Sequence, residues 1–256
     1  MKVLWIFAHP EPRSLNGALR DEGIRTLTEL GHDHRQSDLY AMNWNPVVTG
    51  ADFAHEPADR LVVGSASRQA LENQTLSPDI RLEQEKIDWA DAVIVHFPLW
   101  WYGMPAILKG WFDRVFVKGF GYGVSSPGPD RRTLRYGEGR LAGKRAMLIT
   151  SAGSGEPALG PRGVNGDIGE LLFPIQHGTL WYAGLSVLPP LVVYGADRFS
   201  ETAYDNARTD LRERLRTLPT AAPIPFRRQN HGDYEDLVLR PELAPGRSGL
   251  RIHQTN

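Results

Sequence analysis

The chain has 256 residues, of which 41% are hydrophobic, enough for one sizeable α/β core and a small appended segment. Its formal net charge of −1 gives no reason to expect nucleic acid or an acidic membrane as a partner. The chain has no cysteine, which excludes disulfides, thiolate catalysis and cysteine-based metal sites. No apolar stretch approaches the roughly 20 residues of a membrane span, and the opening MKVLWIFAH is too short for a signal peptide, so we expect a cytoplasmic protein.

Short apolar runs alternate with amphipathic helices, a pattern that predicts a doubly wound parallel sheet with helices on both faces. In chain order the predicted elements are a strand over 3–8, a helix over 15–30, a strand over 32–38, a helix over 80–89, a strand over 92–97, a helix over 105–116, a strand over 145–150, a helix over 167–183, a strand over 187–194 and a helix over 201–218. Gly31 closes the first helix, and Pro189 and Pro190 bend the last strand. Residues 40–80 and 119–143 are predicted to be long loops, which in compact domains often carry function.

The predicted elements divide the chain into two parts. Residues 1–218 hold all of them and are expected to form one domain. Residues 219–256 form a proline-rich, irregular C-terminal extension that either wraps a partner or is partly disordered.

The most informative stretch, HFPLWWYGMPAILKGWFDRVFVK, covers residues 96–118. Pro98 ends the third strand, Gly103 permits a sharp turn and Pro105 suits the first turn of a helix. Between them, large apolar side chains follow a strand at the sheet edge where open α/β folds bind ligands: Leu99, Trp100, Trp101 and Tyr102. Packing against another domain or subunit explains one such ring well but three adjacent rings poorly. We therefore favour a planar ligand together with an interface.

A second candidate loop follows the first strand. Ser14 is placed to cap the helix that begins at Leu15, and a helix amino end is a ready anion site. His9 and Asn16 can add side-chain donors, although taken alone this loop is better explained by a helix cap and a satisfied histidine. The loop lacks the G-x-G-x-x-G spacing of a dinucleotide-binding turn, so we expect a nicotinamide cofactor to visit as a substrate.

Six segments in the same order make the chain resemble the NAD(P)H:quinone oxidoreductases, a family of flavodoxin-like flavoproteins. They are AHPEPRSLNGAL (8–19), SDLYAMNWNPV (37–47), LSPDI (76–80), PAILKGWFDRVF (105–116), TSAGSG (150–155) and GVNGD…PIQHGTL (163–180). The resemblance runs from residue 2 to about residue 195 and is weak from about residue 219 onward. It implies a flavodoxin-like, five-stranded parallel sheet, FAD ahead of FMN as cofactor, and ping-pong transfer of two electrons from NAD(P)H to a quinone or similar aromatic acceptor. It also implies a homodimer with the active site at its interface.

The resemblance assigns roles to individual residues. The implied cofactor-binding residues are His9, Ser14, Leu15, Asn16, Pro98, Leu99, Trp100, Trp101, Tyr102, Thr150, Ser151, Ala152 and Gly153. The implied substrate-binding residues are Trp101, Tyr102, Tyr122, Asn165 and Tyr182, with Tyr122 and Tyr182 supplied by the partner subunit. The implied catalytic residues are Gly153, Asn165 and Tyr122; backbone N–H groups near Gly153 would stabilise negative charge on the reduced flavin.

The chain departs from the family at two points. Asn165 stands where some members carry the His of a proposed Tyr–His proton relay, and an amide cannot shuttle a proton near neutral pH. Solvent, Tyr122 or Tyr182 would then supply protons. Of the His-x-x-x-His and distant Cys that bind metal in another branch, only His177 remains, with Trp181 and Phe226 at the other two positions. We therefore expect no metal site and a packed or interface His177.

Two rival functions stay open at this point. A flavodoxin-like regulatory subunit of an ion-efflux or other partner system would bind flavin with little steady-state turnover, and a flavin-free structural homologue is opposed by the intact loop at 9–16. For the dimer, the sequence offers one argument of its own. The helix after Pro105 carries more apolar surface than one sheet face needs, which predicts an interface, through Trp111, Phe112, Val115 and Phe116.

Overall fold

The computed structural model describes residues 1–129, 131–198 and 200–255. Within these ranges the strands are β1 (Lys2–Phe7), β2 (Asp33–Asp38), β3 (Ala92–Pro98), β4 (Val124–Ser125), β5 (Thr133–Leu134), β6 (Arg145–Ala152), β7 (Ser186–Val187), β8 (Leu191–Tyr194), β9 (Tyr234–Glu235) and β10 (Val238–Leu239). The α-helices are α1 (Leu15–Glu29), α2 (Val63–Glu72), α3 (Pro78–Trp89), α4 (Ala106–Val115), α5 (Ile168–Ile175) and α6 (Glu201–Thr217). In the described part of the chain, no helix combines the length and the apolar character that crossing a membrane requires.

The central sheet is parallel throughout and has the order β2-β1-β3-β6, with β7 and β8 both paired to the far side of β6. This is the predicted flavodoxin-like sheet of five strand positions. The fifth position is interrupted between β7 and β8 at Pro189 and Pro190, because proline has no N–H to donate to β6. The bend that the sequence predicts there is therefore a break.

Two separate apolar layers cover the faces of the sheet, as predicted. Alternate residues of β1 point to opposite faces, so that Leu4 and Ile6 join the layer under α3 and α4 while Trp5 joins the layer under α1 and α6. Leu19 of α1 and Leu211 of α6 are fully buried in the second layer.

Two helices differ from the prediction. Helix α2 lies inside the region predicted to be loop. Its N-cap residue is Val62, whose side chain cannot cap a helix, so the usual start signal is missing. The helix predicted over 167–183 is instead α5 followed by a π-helical stretch, Gln176–Trp181. Pro174 lies inside α5 and supplies no N–H, which disturbs the regular hydrogen-bond ladder just before that stretch.

Helix α4 does not carry the free apolar surface that the sequence suggested. Trp111 and Val115 are 0% exposed, Phe112 is 5% exposed and Phe116 packs against the same apolar layer. These side chains are needed inside the chain, so they are no evidence for an interface.

The C-terminal extension folds back on its own chain. Ile224 N–H donates to the Val187 carbonyl, and Phe226 is buried in the apolar layer that also contains α4. Phe226 and Gln254 form a β-bridge, which brings the two ends of the extension together around the β9–β10 hairpin. The extension therefore has more regular structure than its proline content predicts.

Candidate active site

Three loops meet at the carboxyl edge of the sheet, because they follow the adjacent strands β1, β3 and β6. Ala8 N–H donates to the His96 carbonyl at 3.0 Å, which ties the first loop to β3. Leu99 N–H donates to the Ser151 carbonyl at 2.8 Å, which ties the second loop to β6. The sheet thus brings together the loops that the sequence singled out.

The aromatic loop is a tight turn closed by two backbone hydrogen bonds of 3.0 Å between Trp100 and Gly103. Its two central residues are in the left-handed region, Trp101 with φ 48° and Tyr102 with φ 62°. That is the pattern of a type I′ turn, which normally takes Asn and Gly. The expectation that Gly103 provides the sharp turn is wrong, since the left-handed conformations fall on Trp101 and Tyr102.

This turn stores strain while it exposes an indole ring. A non-glycine residue in the left-handed region costs about 1–2 kcal/mol, and the Trp101 side chain is 97% exposed, so packing within the chain does not offset that cost. Strained residues that display a functional group are typical of ligand-binding sites.

The turn forms one wall of a cleft of about 230 Å³. Six predicted site residues line it: Leu99, Trp101, Tyr102, Ala152, Gly153 and Asn165. Ser154 and Leu159 also line the cleft and were not predicted. The glycine-rich string TSAGSG contained Ser154, whereas Leu159 reaches the cleft through the short 3₁₀ helix Glu156–Leu159, for which the sequence gave no signal.

Asn165 joins two walls of this cleft. The Tyr102 hydroxyl donates to Asn165 Oδ1 at 3.2 Å, and Asn165 Nδ2 donates to Ser154 Oγ at 2.9 Å. The Asn165 amide therefore holds the aromatic turn against the loop after β6. This bracing role needs hydrogen-bonding groups but no titrating side chain.

Gly153 lies close to the side chain of Asp197. A Cβ atom at this position would lie 2.3 Å from Asp197 Oδ2, so any side chain would displace Asp197. The expected close approach of a ligand to the Gly153 backbone stays a prediction, and the crowding that the structure shows comes from the segment after β8.

The first loop is built around Ser14, as predicted. Ser14 Oγ accepts the Gly17 N–H at 3.1 Å and lies 3.0 Å from His9 Nδ1, to which its hydroxyl can donate. With Nδ1 accepting, the proton of a neutral His9 ring is on Nε2, a free donor beside the helix amino end. The loop presses so closely on α1 that a Cβ at Gly17 would lie 1.9 Å from the Pro12 carbonyl oxygen.

A buried polar network lies beneath the three loops. His96 Nε2 donates to Asn16 Oδ1 at 3.1 Å, and Asn16 Nδ2 donates to Ser151 Oγ at 2.9 Å. His96 is 0% exposed, and burial, with a smaller contribution from the neighbouring His9 and Arg20 side chains, lowers its pKa to about 3. Both polar groups of the Asn16 side chain are therefore used inside this network, where they support the loops from below. Donation from Asn16 to a ligand stays a prediction.

Five further predicted residues fall into two groups. Pro98, Thr150 and Ser151 are buried in the sheet below the cleft, and the Thr150 hydroxyl has no hydrogen-bond partner among the described residues. Leu15 and Trp100 border the first loop, with the Trp100 ring 6.2 Å from that of His9.

Tyr122 and Tyr182 do not line the cleft of their own chain. The Tyr122 hydroxyl lies near Gly64, and the Tyr182 ring packs 5.1 Å from Tyr136. This placement is compatible with the predicted contact of both side chains with the cleft of a partner subunit, which stays a prediction.

His177 is packed, as predicted. Its ring stacks on Phe173 at 4.5 Å and lies 5.0 Å from Phe226. Burial, and secondarily the nearby His253, lowers the pKa of His177 to about 4, so the ring is neutral near pH 7.

The cleft has the donors and walls that a flavin requires. Within the described residues, the backbone N–H groups of Trp101, Tyr102, Ser154 and Gly155 make no hydrogen bond, so they can bind a ring system placed between the two loops. The amino end of α1 and the His9 Nε2 donor suit a phosphate. The donor set and the aromatic walls therefore fit the flavin that the resemblance implies.

The fold and the cleft define an open, doubly wound α/β protein with a ligand site at the carboxyl edge of its sheet. A family model described as flavodoxin-like fold matches residues 1–217. A ribosyldihydronicotinamide dehydrogenase-like protein of Penicillium crustosum is 49% identical over 99% of this chain and 95% of its own length. Rat NAD(P)H dehydrogenase [quinone] 1 is 38% identical over 88% of this chain and 80% of its own length.

A solved structure agrees with this assignment. The crystal structure of a candidate quinone reductase from Klebsiella pneumoniae is 53% identical, covers all of both chains and superposes with a TM-score of 0.96. The chain belongs to the flavodoxin-like family that includes these dehydrogenases and reductases, which confirms the predicted resemblance.

Proposed function

We propose that this chain is a flavin-dependent oxidoreductase that passes two electrons from a dihydronicotinamide to a quinone or a similar aromatic acceptor. The observation that carries the proposal is the cleft between the Trp101–Tyr102 turn and the loop after β6, with free backbone donors on both sides. The names of the relatives agree with this activity: they are dehydrogenases of ribosyldihydronicotinamide or NAD(P)H, several of them with quinone as acceptor. The alternative of a regulatory subunit finds no support among them.

In the balanced reaction, NAD(P)H, a quinone and one proton give NAD(P)⁺ and a hydroquinone. A bound flavin would supply the redox chemistry, the two-electron exchange between the dihydronicotinamide and the quinone. The chain's own residues bind and orient the reacting molecules. The exposed Trp101 ring offers a flat face for a planar acceptor, and Tyr102, braced by Asn165, fixes the neighbouring wall.

Proton supply differs from a Tyr–His relay. Asn165 stands where some family members carry the histidine of that relay. Its amide can donate a hydrogen bond but carries no titrating proton. The Tyr102 hydroxyl donates to Asn165 Oδ1 in the structure and lines the cleft, so it joins solvent, Tyr122 and Tyr182 as a proposed donor.

For the cofactor we propose FAD ahead of FMN, on the strength of the resemblance to FAD-using quinone reductases. We also propose a homodimer in which Tyr122 and Tyr182 cover the cleft of the partner subunit. The support is that both lie outside their own cleft, while Trp101 is left 97% exposed in the isolated chain. The division at residue 218 and a cytoplasmic location stay predictions of the sequence.

The test is made on the purified chain. Its absorption spectrum should show one flavin per chain, and mass spectrometry of the heat-released cofactor separates FAD from FMN. Stopped-flow spectroscopy should show flavin bleaching by NADH, NADPH or N-ribosyldihydronicotinamide and recovery on adding a quinone such as menadione. Bleaching without turnover would favour a regulatory subunit, and a chain that binds no flavin under saturating reconstitution would refute the proposal.

A further inference from the structure

A second cavity lies where the C-terminal extension folds back onto α5. Its volume is about 330 Å³, within the range of about 300–1,000 Å³ typical of small-molecule sites. One side is formed by Tyr136, Phe173 and His177, and the other by Arg227, Tyr234 and His253 from the extension. None of the residues that line it lines the Trp101 cleft, so the two sites are separate.

Flat ring faces dominate the walls of this cavity. On the α5 side, His177 lies in a stack with Phe173 at 4.5 Å and with Tyr136 at 4.9 Å. On the side of the extension, Tyr234 and His253 stack at 5.9 Å with an interplanar angle of 13°. The two groups of rings meet where the His177 and His253 centroids lie 5.8 Å apart, so they form one continuous aromatic wall. Such a wall suits a planar aromatic molecule.

The charges in the wall are positive. Arg135 and Arg227 line the cavity, and no Asp or Glu does. Arg227 is already paired with Asp233 at 2.7 Å. Arg135 donates to the Gln229 amide oxygen at 2.5 Å, and among the described residues no carboxylate forms an ion pair with it. One guanidinium therefore remains without a counter-charge.

We propose that this cavity binds a planar aromatic anion, with its ring against this aromatic wall and its carboxylate paired to Arg135. A guanidinium is the side chain best suited to a carboxylate, because its planar N–H groups match the two oxygens. The aromatic rings that line the cavity supply the stacking surface. This site is additional to the proposed oxidoreductase activity and does not depend on it.

Isothermal titration calorimetry of the full-length protein tests the proposal, with 2-naphthoate as the anionic probe and 2-naphthamide as its neutral counterpart. We expect one naphthoate per chain and at least tenfold weaker binding of the amide. Arg135→Gln should weaken naphthoate binding about ten- to a hundredfold, as expected for the loss of a charge-assisted hydrogen bond. Arg131→Gln removes an equal charge from the same loop outside the cavity and should change the affinity less than twofold.

A second variant guards against misfolding of the first. Leu237 lies at the rim, is 59% exposed and has a φ of 68°, a conformation that Asp tolerates better than Leu. Leu237→Asp should therefore fold normally, which circular dichroism checks, and should weaken naphthoate binding by repulsion while amide binding is retained.

Three results would overturn the proposal: no naphthoate binding, an affinity that Arg135→Gln and Leu237→Asp both leave unchanged, or equal binding of probe and amide. Loss of binding in Trp101→Ala with retention in Arg135→Gln would place the probe in the other cleft and would also refute it.

Discussion

At the residue scale, a buried histidine beneath the cleft makes stability depend on pH. The folded pKa of His96 is about 3, whereas an unfolded histidine titrates near pH 6.5. Between these values the unfolded state binds more protons, so the free energy of unfolding falls as the pH falls. For His96 this amounts to about 1.5–2 kcal/mol between pH 6.5 and pH 5.

His96→Gln tests this, because Gln can still donate to Asn16 but does not titrate. Urea unfolding at pH 6.5 and at pH 5 gives the free energy of unfolding that is lost on acidification. We expect this loss to be smaller in the variant than in the parent chain by about 1.5–2 kcal/mol. His231→Gln removes an exposed histidine and is the control. If both variants flatten the pH dependence equally, His96 is not its source.

In the turn at Trp101, a substitution that raises stability is expected to lower activity. Trp101→Asn places a residue that tolerates φ 48° in a side chain position that is 97% exposed, so strain is relieved and little packing is lost. We expect the free energy of unfolding to rise by about 0.5–1 kcal/mol while quinone reduction falls about tenfold or more, because the ring wall is gone.

Val164→Asn is the matched control, since Val164 is 94% exposed and is not in the left-handed region. It should leave stability nearly unchanged. Denaturant midpoints and steady-state rates measured on the same preparations decide the question. A Trp101→Asn variant that is no more stable than the parent chain would show that the turn stores no strain.

At the element scale, the first loop and α1 form one tightly packed unit. A Cβ at Gly17 would overlap the Pro12 carbonyl, at 1.9 Å from its oxygen. Gly17→Ala should therefore push the loop off the helix, lower the free energy of unfolding by about 1–3 kcal/mol and weaken flavin binding. The gain in helix propensity from alanine, about 1 kcal/mol, is not enough to offset such an overlap.

Gly178→Ala is the control for this prediction, because a Cβ there would meet no atom within 4 Å. Thermal unfolding and fluorescence titration with flavin give the two readouts. Equal behaviour of the two variants would mean that the loop yields easily and that its position does not depend on Gly17.

At the scale of the whole molecule, the proposed dimer makes each active site a composite of two chains. If Tyr182 acts on the cleft of the partner subunit, Trp101→Ala and Tyr182→Ala damage different halves of one composite site. A heterodimer of the two variants then contains one intact site and one doubly damaged site. We expect such heterodimers, purified with two affinity tags, to recover about half of the parent activity per dimer.

If Tyr182 acts only within its own chain, every site of the heterodimer is damaged and no recovery occurs. Homodimers of each variant provide the baseline. A fully active monomer, seen by light scattering at the working concentration, would exclude the composite site altogether.

The sequence alone determined the order of the sheet strands and of the helices other than α2, and it identified the loops that form the site. Alternating apolar runs are read directly from side-chain chemistry, and the carboxyl ends of parallel strands must share one edge, so the meeting of the loops after β1, β3 and β6 followed from topology. The Ser14 cap and the positive φ of Gly31 were predictable for the same reason, since both are local.

Only the tertiary structure decided what depends on contacts distant in sequence. The strain on Trp101 and Tyr102, the brace between Asn165 and Ser154, and the burial of the apolar face of α4 arise from packing that no local pattern encodes. The return of the C-terminal extension to α5 is of the same kind. Its residues bury surface against segments far away in the chain, so proline content predicted irregularity where long-range packing imposes order.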